Sequence, residues 1–203
     1  MSDLVYAIEA ESRGDFANAL EHYARLVESG PPLDRVGVFQ ALARCGERLG
    51  QLHNAGAWRR KAGQGYLALD DAAMPRGERE YLALVEYRNA VQDLQGHGSL
   101  PDVAREYAAV LKSNFAEGAE GLTHEGLFAG AIFRAIGDHL LAAKYLFDTA
   151  EVLSEQAAVG GSPPVREAAI RAYELAMESA NRAGRPDVAR VSEIRAADLK
   201  QMG

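Results

Sequence analysis

The sequence contains a single cysteine and no excess of basic residues. Because Cys45 has no second cysteine to pair with, the chain cannot form an internal disulfide, which fits a reducing cytoplasm. Acidic residues outnumber basic ones, so the formal net charge is −7 and the pI is about 5.3. A protein that binds nucleic acid or an anionic membrane neutralises phosphates with a basic surface. We therefore expect no general binding to DNA, RNA or a lipid surface.

Long apolar stretches and strand patterns are also absent. No stretch approaches the ~20 apolar residues that a membrane-spanning helix needs, and residues 1–6 lack the basic-then-apolar order of a secretory signal. Alternating apolar and polar runs with β-branched side chains, typical of half-buried strands, are missing. Abundant alanine and an excess of arginine over lysine indicate a bacterial source. We expect an all-α protein of the cytoplasm without membrane insertion.

Motifs of catalysis and of metal binding are lacking as well. None of the five histidines belongs to a His-Glu-x-x-His motif or to a Cys/His cluster. Neither Gly-x-Ser-x-Gly nor Gly-Lys-Ser/Thr occurs, so the chain lacks the nucleophile motif and the phosphate-binding motif of two common kinds of enzyme. We therefore expect no enzyme activity, no cofactor and no metal.

What the sequence does contain is helical spacing and a repeated turn. Apolar residues recur at intervals of three and four along the chain, which predicts about ten helices. In four places a glycine that ends one helix is followed five residues later by an alanine: Gly14/Ala19, Gly50/Ala55, Gly137/Ala142 and Gly184/Ala189. A small residue at that position lets two helices pack at a short distance. The pattern predicts an array of helical hairpins.

These turns resemble those of tetratricopeptide repeats. The resemblance is carried by residues around four turns: Gly14-Asp15-Phe16 with Ala19, Leu20, Glu21 and Tyr23; Phe39, Leu42, Ala43, Gly50 and Ala55; Ala129-Gly130, Phe133, Gly137-Asp138 and Ala142; and Tyr173, Ala176, Gly184 and Ala189. A degenerate hairpin between them keeps Ala104 but has Ser99 in place of the turn glycine. The aligned alanines lie 36, 49, 38 and 47 residues apart, against the ~34 of the repeat. The longer intervals are similar to the longer-helix arrays of the SNAP family of membrane-fusion adaptors.

The resemblance implies an all-α, right-handed superhelix of about five antiparallel helical hairpins, a tetratricopeptide-like α-solenoid. We expect a single domain, 1–203, with loop breaks near 70–77, 116–122 and 159–164. The alternative is an irregular α-helical domain, in which the glycine–alanine pairs arise by chance in an alanine-rich chain.

In tetratricopeptide arrays, the first helix of each hairpin lines the concave face, where partners bind. Carried over to this sequence, the groove-facing residues are Leu4, Ile8, Gln40, Arg44, Arg48, Asn89, Asp93, Arg134, Arg171, Glu174 and Glu178. Arg44 and Arg48 lie one turn apart, so their guanidinium groups can hold a carboxylate of an acidic peptide or of a C-terminus. The alternative is that they pair with Glu47 or with acids of the adjacent hairpin.

Leu4 and Ile8 stand where the carboxylate clamp of heat-shock co-chaperones has Lys and Asn, so that clamp is not reproduced. The two residues predict an apolar start to the groove, which takes an amphipathic helix or a hydrophobic anchor. The basic run Trp58–Lys61 is predicted to place Trp58 in the core and three cations on the convex surface.

The end of the chain carries an apolar stripe of its own. Its members are Val188, Val191, Ile194 and Leu199. They are apolar enough either to cap the array or to seal a homodimer.

The predicted function is that of a scaffold or adaptor, which binds a peptide or helix of another protein on the concave face. Two alternatives remain open: a chaperone for a secreted or assembling client protein, and a helical regulatory subunit of an enzyme or transcription factor. The chaperone would form a stoichiometric complex with one client. The regulatory subunit would use its convex surface or its last pair of helices.

Overall fold

The computed structural model describes residues 2–27, 31–115, 123–160 and 162–201. Within these ranges the chain forms no strand and ten helices: α1 (Asp3–Ser12), α2 (Phe16–Leu26), α3 (Pro32–Arg48), α4 (Leu52–Leu67), α5 (Arg76–Asp93), α6 (Leu100–Phe115), α7 (Thr123–Ala135), α8 (His139–Ala158), α9 (Pro163–Arg182) and α10 (Pro186–Gln201). For this part of the chain, the prediction of an all-α protein with about ten helices is confirmed. The predicted loop break at 116–122 lies outside the described residues.

Glycine turns connect the helices of the clearest hairpins. Gly14 follows α1 with a φ of 78°, and Gly137 follows α7 with a φ of 82°, a left-handed conformation that glycine adopts without strain. The next residue, Asp15 or Asp138, caps the second helix, because its carboxylate accepts a hydrogen bond from the backbone N–H three residues on, at 3.2 Å. Two adjacent residues therefore end one helix and begin the next.

The alanine that follows each turn is buried, as the repeat pattern predicts. All five positions are 5% exposed or less: Ala19, Ala55, Ala104, Ala142 and Ala189. A larger side chain there would push the paired helices apart.

The chain divides into two compact units, Met1–Ala116 and Glu117–Gly203. In the N-terminal unit, each helix from α1 to α6 packs against the next one along the chain. Side-chain hydrogen bonds also join alternate helices: Arg44 of α3 with Glu11 of α1, Gln40 of α3 with Glu86 of α5, and Arg60 of α4 with Glu106 of α6. Contacts of a helix with its next neighbour and with the one after it fit a repeat-like array.

The core of the N-terminal unit lies between these helices. Leu42 and Cys45 of α3 are fully buried and cluster with Ala7 of α1 and Tyr23 of α2. Burial raises the pKa of the Cys45 thiol to about 11, so this cysteine is protonated at neutral pH.

The C-terminal unit contains α7 to α10, again with each helix packed against the next, and α10 also contacts α8. A hydrogen bond of 2.8 Å from Arg134 to Glu178 joins α7 with α9. Leu153, Tyr173 and Leu199 belong to a separate core cluster here. Each unit therefore has its own apolar interior.

Candidate functional site

An apolar pocket opens between α1 and α3 of the N-terminal unit, with a volume of about 680 Å³. Leu4, Ile8 and Leu33 line it and are 45%, 53% and 44% exposed. Deeper apolar lining comes from Val38 and Ala41, which are buried. Large apolar side chains that stay in contact with water in a concave site are what a ligand or partner covers. We call this site the α1/α3 pocket.

The α1/α3 pocket brings together three of the predicted site residues, Leu4, Ile8 and Arg44. Sequence reasoning missed Leu33, which lies in the first turn of α3 directly after two prolines. Its signal was present, because Leu33 precedes Gln40 by two turns and Arg44 by three and so shares their helix face.

Arg44 at the rim of the pocket is bound to Glu11 of α1. Its Nε donates to Glu11 Oε1 at 3.1 Å and its Nη2 to Oε2 at 3.5 Å. The hydroxyl of Tyr23 donates to the same Oε2 at 2.7 Å. Partial burial would raise the pKa of Glu11, but the hydrogen bonds from Arg44 and Tyr23 outweigh it and lower that pKa. Of the two alternatives for Arg44, the structure therefore contains a pair with an acid of the adjacent hairpin.

Arg48, one turn further along α3, is exposed and forms no ion pair with the described residues. Its neighbour Glu47 is bound to Arg59 instead. Arg44 itself keeps 55% of its side chain exposed. Among the residues that the structure describes, this end of α3 therefore presents one guanidinium without an ion pair and one that solvent still reaches.

A largely half-buried polar cluster joins α3, α4 and α5 next to this surface, and we call it the Arg59 cluster. Its members are Gln40, Glu47, Arg59, Glu86 and Asp93. Arg59 Nε donates to Asp93 Oδ2 at 3.0 Å, and its Nη1 lies 3.6 Å from Glu86 Oε2. Its Nη2 donates to Glu47. Gln40 donates to Glu86 Oε1 at 2.7 Å, so two predicted groove residues, Gln40 and Asp93, meet through this cluster.

The location of Arg59 corrects the prediction that it lies on the convex surface. Its side chain is only 15% exposed, because it passes between α3 and α5 to reach three carboxylates. Trp58 packs against the core cluster as expected. Arg60 binds Glu106, and Lys61 is exposed above the ring of Phe39. Spacing within the basic run does not reveal which cation meets buried acids on other helices.

The Arg59 cluster carries more negative than positive charge. Burial first, and then the nearby charges of Glu47 and Glu86, raise the pKa of Asp93 in spite of its ion pair with Arg59. The carboxylate of Glu86 is 8% exposed, and its Oε2 accepts no hydrogen bond from the described atoms. Asn89 lies half-buried on α5 between Glu86 and Asp93. The Arg59 cluster is therefore a site of net negative charge.

The predicted residues of the C-terminal unit also form pairs. Arg134 of α7 donates to Glu178 of α9 at 2.8 Å. Glu174 accepts from Lys200 of α10 at 2.9 Å and lies 3.7 Å from Arg171. The Arg134–Glu178 pair joins α7 to α9, and the Lys200–Glu174 pair joins α10 to α9, whereas the Arg171–Glu174 pair lies within α9.

A second apolar groove, which the sequence did not predict, lies between α8 and α10 and measures about 490 Å³. Its apolar lining comes from Leu140, Leu141, Ala143, Phe147, Val188 and Val191. Two ion pairs stand at its edges, Lys144 with Asp148 and Arg185 with Asp187. We call it the α8/α10 groove.

The described ranges contain neither a metal-binding cluster nor a bilayer-spanning helix. No group of three or more His, Cys, Asp or Glu residues that could hold a metal ion occurs there. The rings of His53 and His97 stack at 3.7 Å with an interplanar angle of 23°, so a metal cannot lie in both ring planes. No helix in this part of the chain has both the length and the apolar character for crossing a bilayer.

No protein-family model and no curated protein matches the chain.

Proposed function

We propose that the protein is a tetratricopeptide-like adaptor, which binds a peptide or an amphipathic helix of a partner protein at the α1/α3 pocket. The observation that carries the proposal is the set of half-exposed Leu4, Ile8 and Leu33 around a volume of about 680 Å³. A pocket of this size accommodates one or two large apolar side chains of a helix laid into a groove. Burying them supplies the main favourable free energy of binding.

Near Arg44, the rim of the pocket adds a preference for negative charge on the partner, whereas Asp34, which also lines the pocket, lies ten residues earlier in α3. Arg48 has no ion pair within the described residues, and Arg44 lies one turn away on the same face. A carboxylate that follows the apolar anchor by one or two turns of the partner helix reaches both guanidinium groups. The preferred ligand is therefore an amphipathic helix with apolar anchors and a flanking acidic residue.

The repeat-like helix contacts support the proposal that the fold is tetratricopeptide-like. In the N-terminal unit, alternate helices α1, α3 and α5 are joined by side-chain hydrogen bonds, as the first helices of successive hairpins are in a superhelical array. We extend this to a right-handed α-solenoid, in which these helices form the concave wall.

A selection from a displayed library of helical peptides tests the proposal without a known partner. Peptides enriched on the wild-type protein should carry one or two large apolar residues and an Asp or Glu one or two turns away. In solution, Ile8→Asp should weaken their binding by about tenfold or more, because a charge then enters the apolar pocket. Arg48→Glu should weaken acidic peptides more than variants of them with Gln or Asn.

The matched control is Val5→Asp. Val5 lies on the same helix and is 40% exposed, but it does not line the pocket, so affinity should stay near the wild-type value. If the selected peptides bind the wild type and Ile8→Asp with equal affinity, the α1/α3 pocket is not their binding site. Equal losses for Ile8→Asp and Val5→Asp would indicate damage to α1 rather than to the pocket.

A further inference from the structure

The outer face of α10 is apolar at its centre. Ala189, Ser192, Ala196 and Leu199 face the interior of the C-terminal unit and are buried. On the opposite side, Val191 and Ile194 are 44% and 50% exposed. Exposing large apolar side chains to water is unfavourable, so another surface that covers the centre of this helix face would be stabilised by burying them.

Two charged residues flank Ile194 symmetrically on this face. Arg190 precedes Ile194 by one helical turn, and Asp198 follows it by one turn, so the three residues form a single ridge. Most other charged residues of this segment are paired: Arg185 with Asp187, Arg195 with Glu151, and Lys200 with Glu174. Arg190 and Asp198, in contrast, form no ion pair within the described ranges, and the same holds for Glu193, which lies outside this ridge.

A basic and an acidic residue at equal distances from an apolar centre are self-complementary under twofold symmetry. If a second α10 lies antiparallel across the first, with the axis at Ile194, residues one turn before and one turn after that centre come opposite each other. Arg190 of each copy then meets Asp198 of the other. Closed homodimers use twofold contacts of this kind, in which one surface binds itself. A helix from an unrelated protein gives no reason for the symmetry of these charges.

We propose that α10 forms an antiparallel homodimer contact, with Ile194 against Ile194 of the second copy and two symmetric Arg190–Asp198 pairs. The α8/α10 groove adjoins this face through Val191, so the C-terminal half of the second α10 also covers exposed Leu140 at the groove. One helix and one groove make a small interface, so the dimer is reversible and depends on concentration.

Sedimentation velocity over a wide range of protein concentrations tests the contact on the full chain. The wild type should shift with concentration from 21.9 kDa towards twice that mass. Arg190→Asp alone and Asp198→Arg alone each place like charges opposite each other twice, and each should weaken the dimer by about tenfold. The double variant Arg190→Asp with Asp198→Arg reverses both pairs and should restore the dimer.

Ile194→Asp should be monomeric at all concentrations, with an unchanged circular dichroism spectrum because the residue is outside the core. Glu167→Arg, an exposed charge reversal on α9, is the control and should leave dimerisation unchanged. A wild type that stays monomeric throughout would overturn the proposal. So would a dimer that persists in the Ile194→Asp variant, or one that the double charge swap does not restore.

Discussion

At the scale of single residues, Arg59 determines whether α3, α4 and α5 can share a polar interior. Its guanidinium, which comes from α4, contacts Glu47 of α3 and both Glu86 and Asp93 of α5, with 15% of the Arg59 side chain exposed. Taking charges out of water is costly, and their mutual attraction offsets that cost only while every partner is present. Removing the cation would leave three carboxylates without their shared partner, and two of them, Glu86 and Asp93, have little access to water.

Arg59→Met should therefore destabilise the protein strongly. The methionine fills a similar volume without a charge, so the loss measures the uncompensated carboxylates and should be about 3–5 kcal/mol in urea unfolding. Arg60→Met, which removes a partly exposed pair with Glu106, is the control and should cost about 1 kcal/mol or less. Similar losses for the two variants would contradict the central role of Arg59.

The stability that Arg59→Met loses relative to the wild type should depend on pH. Burial and neighbouring carboxylates already raise the pKa of Asp93 in the wild type, and loss of Arg59 raises it further. A carboxyl whose folded pKa exceeds its unfolded value destabilises the fold fully above the folded pKa, and this cost disappears as pH falls through it. The gap in stability between Arg59→Met and wild type should therefore narrow on acidification from pH 7 towards about pH 4.

At the scale of helices, the sequence predicted elements better than it predicted contacts. The Gly14-Asp15 and Gly137-Asp138 turns were visible because one residue requires a positive φ and the next caps a helix, both of which are local effects. The pairing of Arg44 with Glu11, 33 residues away, depends instead on how two hairpins pack. For the same reason, the exposed apolar lining of the α1/α3 pocket was predicted at Leu4 and Ile8 but not at Leu33.

Gly130 shows how closely two helices of one hairpin approach. A Cβ built on Gly130 of α7 would lie 2.4 Å from Cγ of Leu146 on α8, whose side chain is 1% exposed. Gly130→Ala should therefore destabilise the C-terminal unit by about 1–3 kcal/mol, because the overlap outweighs the better helix propensity of alanine.

Gly37→Ala provides the matched control for Gly130→Ala. Gly37 is also inside a helix, but a Cβ there meets nothing within 4 Å, so alanine should stabilise the protein by about 0.5–1 kcal/mol. Opposite signs for the two variants in urea unfolding are the expected result. A stabilising Gly130→Ala would show that α7 and α8 separate without cost.

At the scale of the whole molecule, the two proposed contacts use different helices of different units. The α1/α3 pocket belongs to Met1–Ala116, whereas the α10 face belongs to Glu117–Gly203. All-α character could be predicted because helical periodicity is a property of each segment by itself. Which apolar residues remain uncovered could not, because Ile194 and Leu199 look alike in sequence, yet one is 50% exposed and the other 4%.

Separate contacts predict that dimerisation changes avidity but not affinity. In solution, Ile194→Asp should bind a selected peptide with the wild-type Kd, and Ile8→Asp should sediment like the wild type. On a surface densely coated with that peptide, the wild-type dimer engages two peptides at once, so it should dissociate more slowly than monomeric Ile194→Asp, by roughly tenfold or more. A sparse coating should abolish the difference, because the second peptide is then out of reach. A changed Kd for Ile194→Asp in solution would mean that α10 takes part in peptide binding itself, whereas equal dissociation from both coatings would mean that the dimer does not present two pockets to one surface.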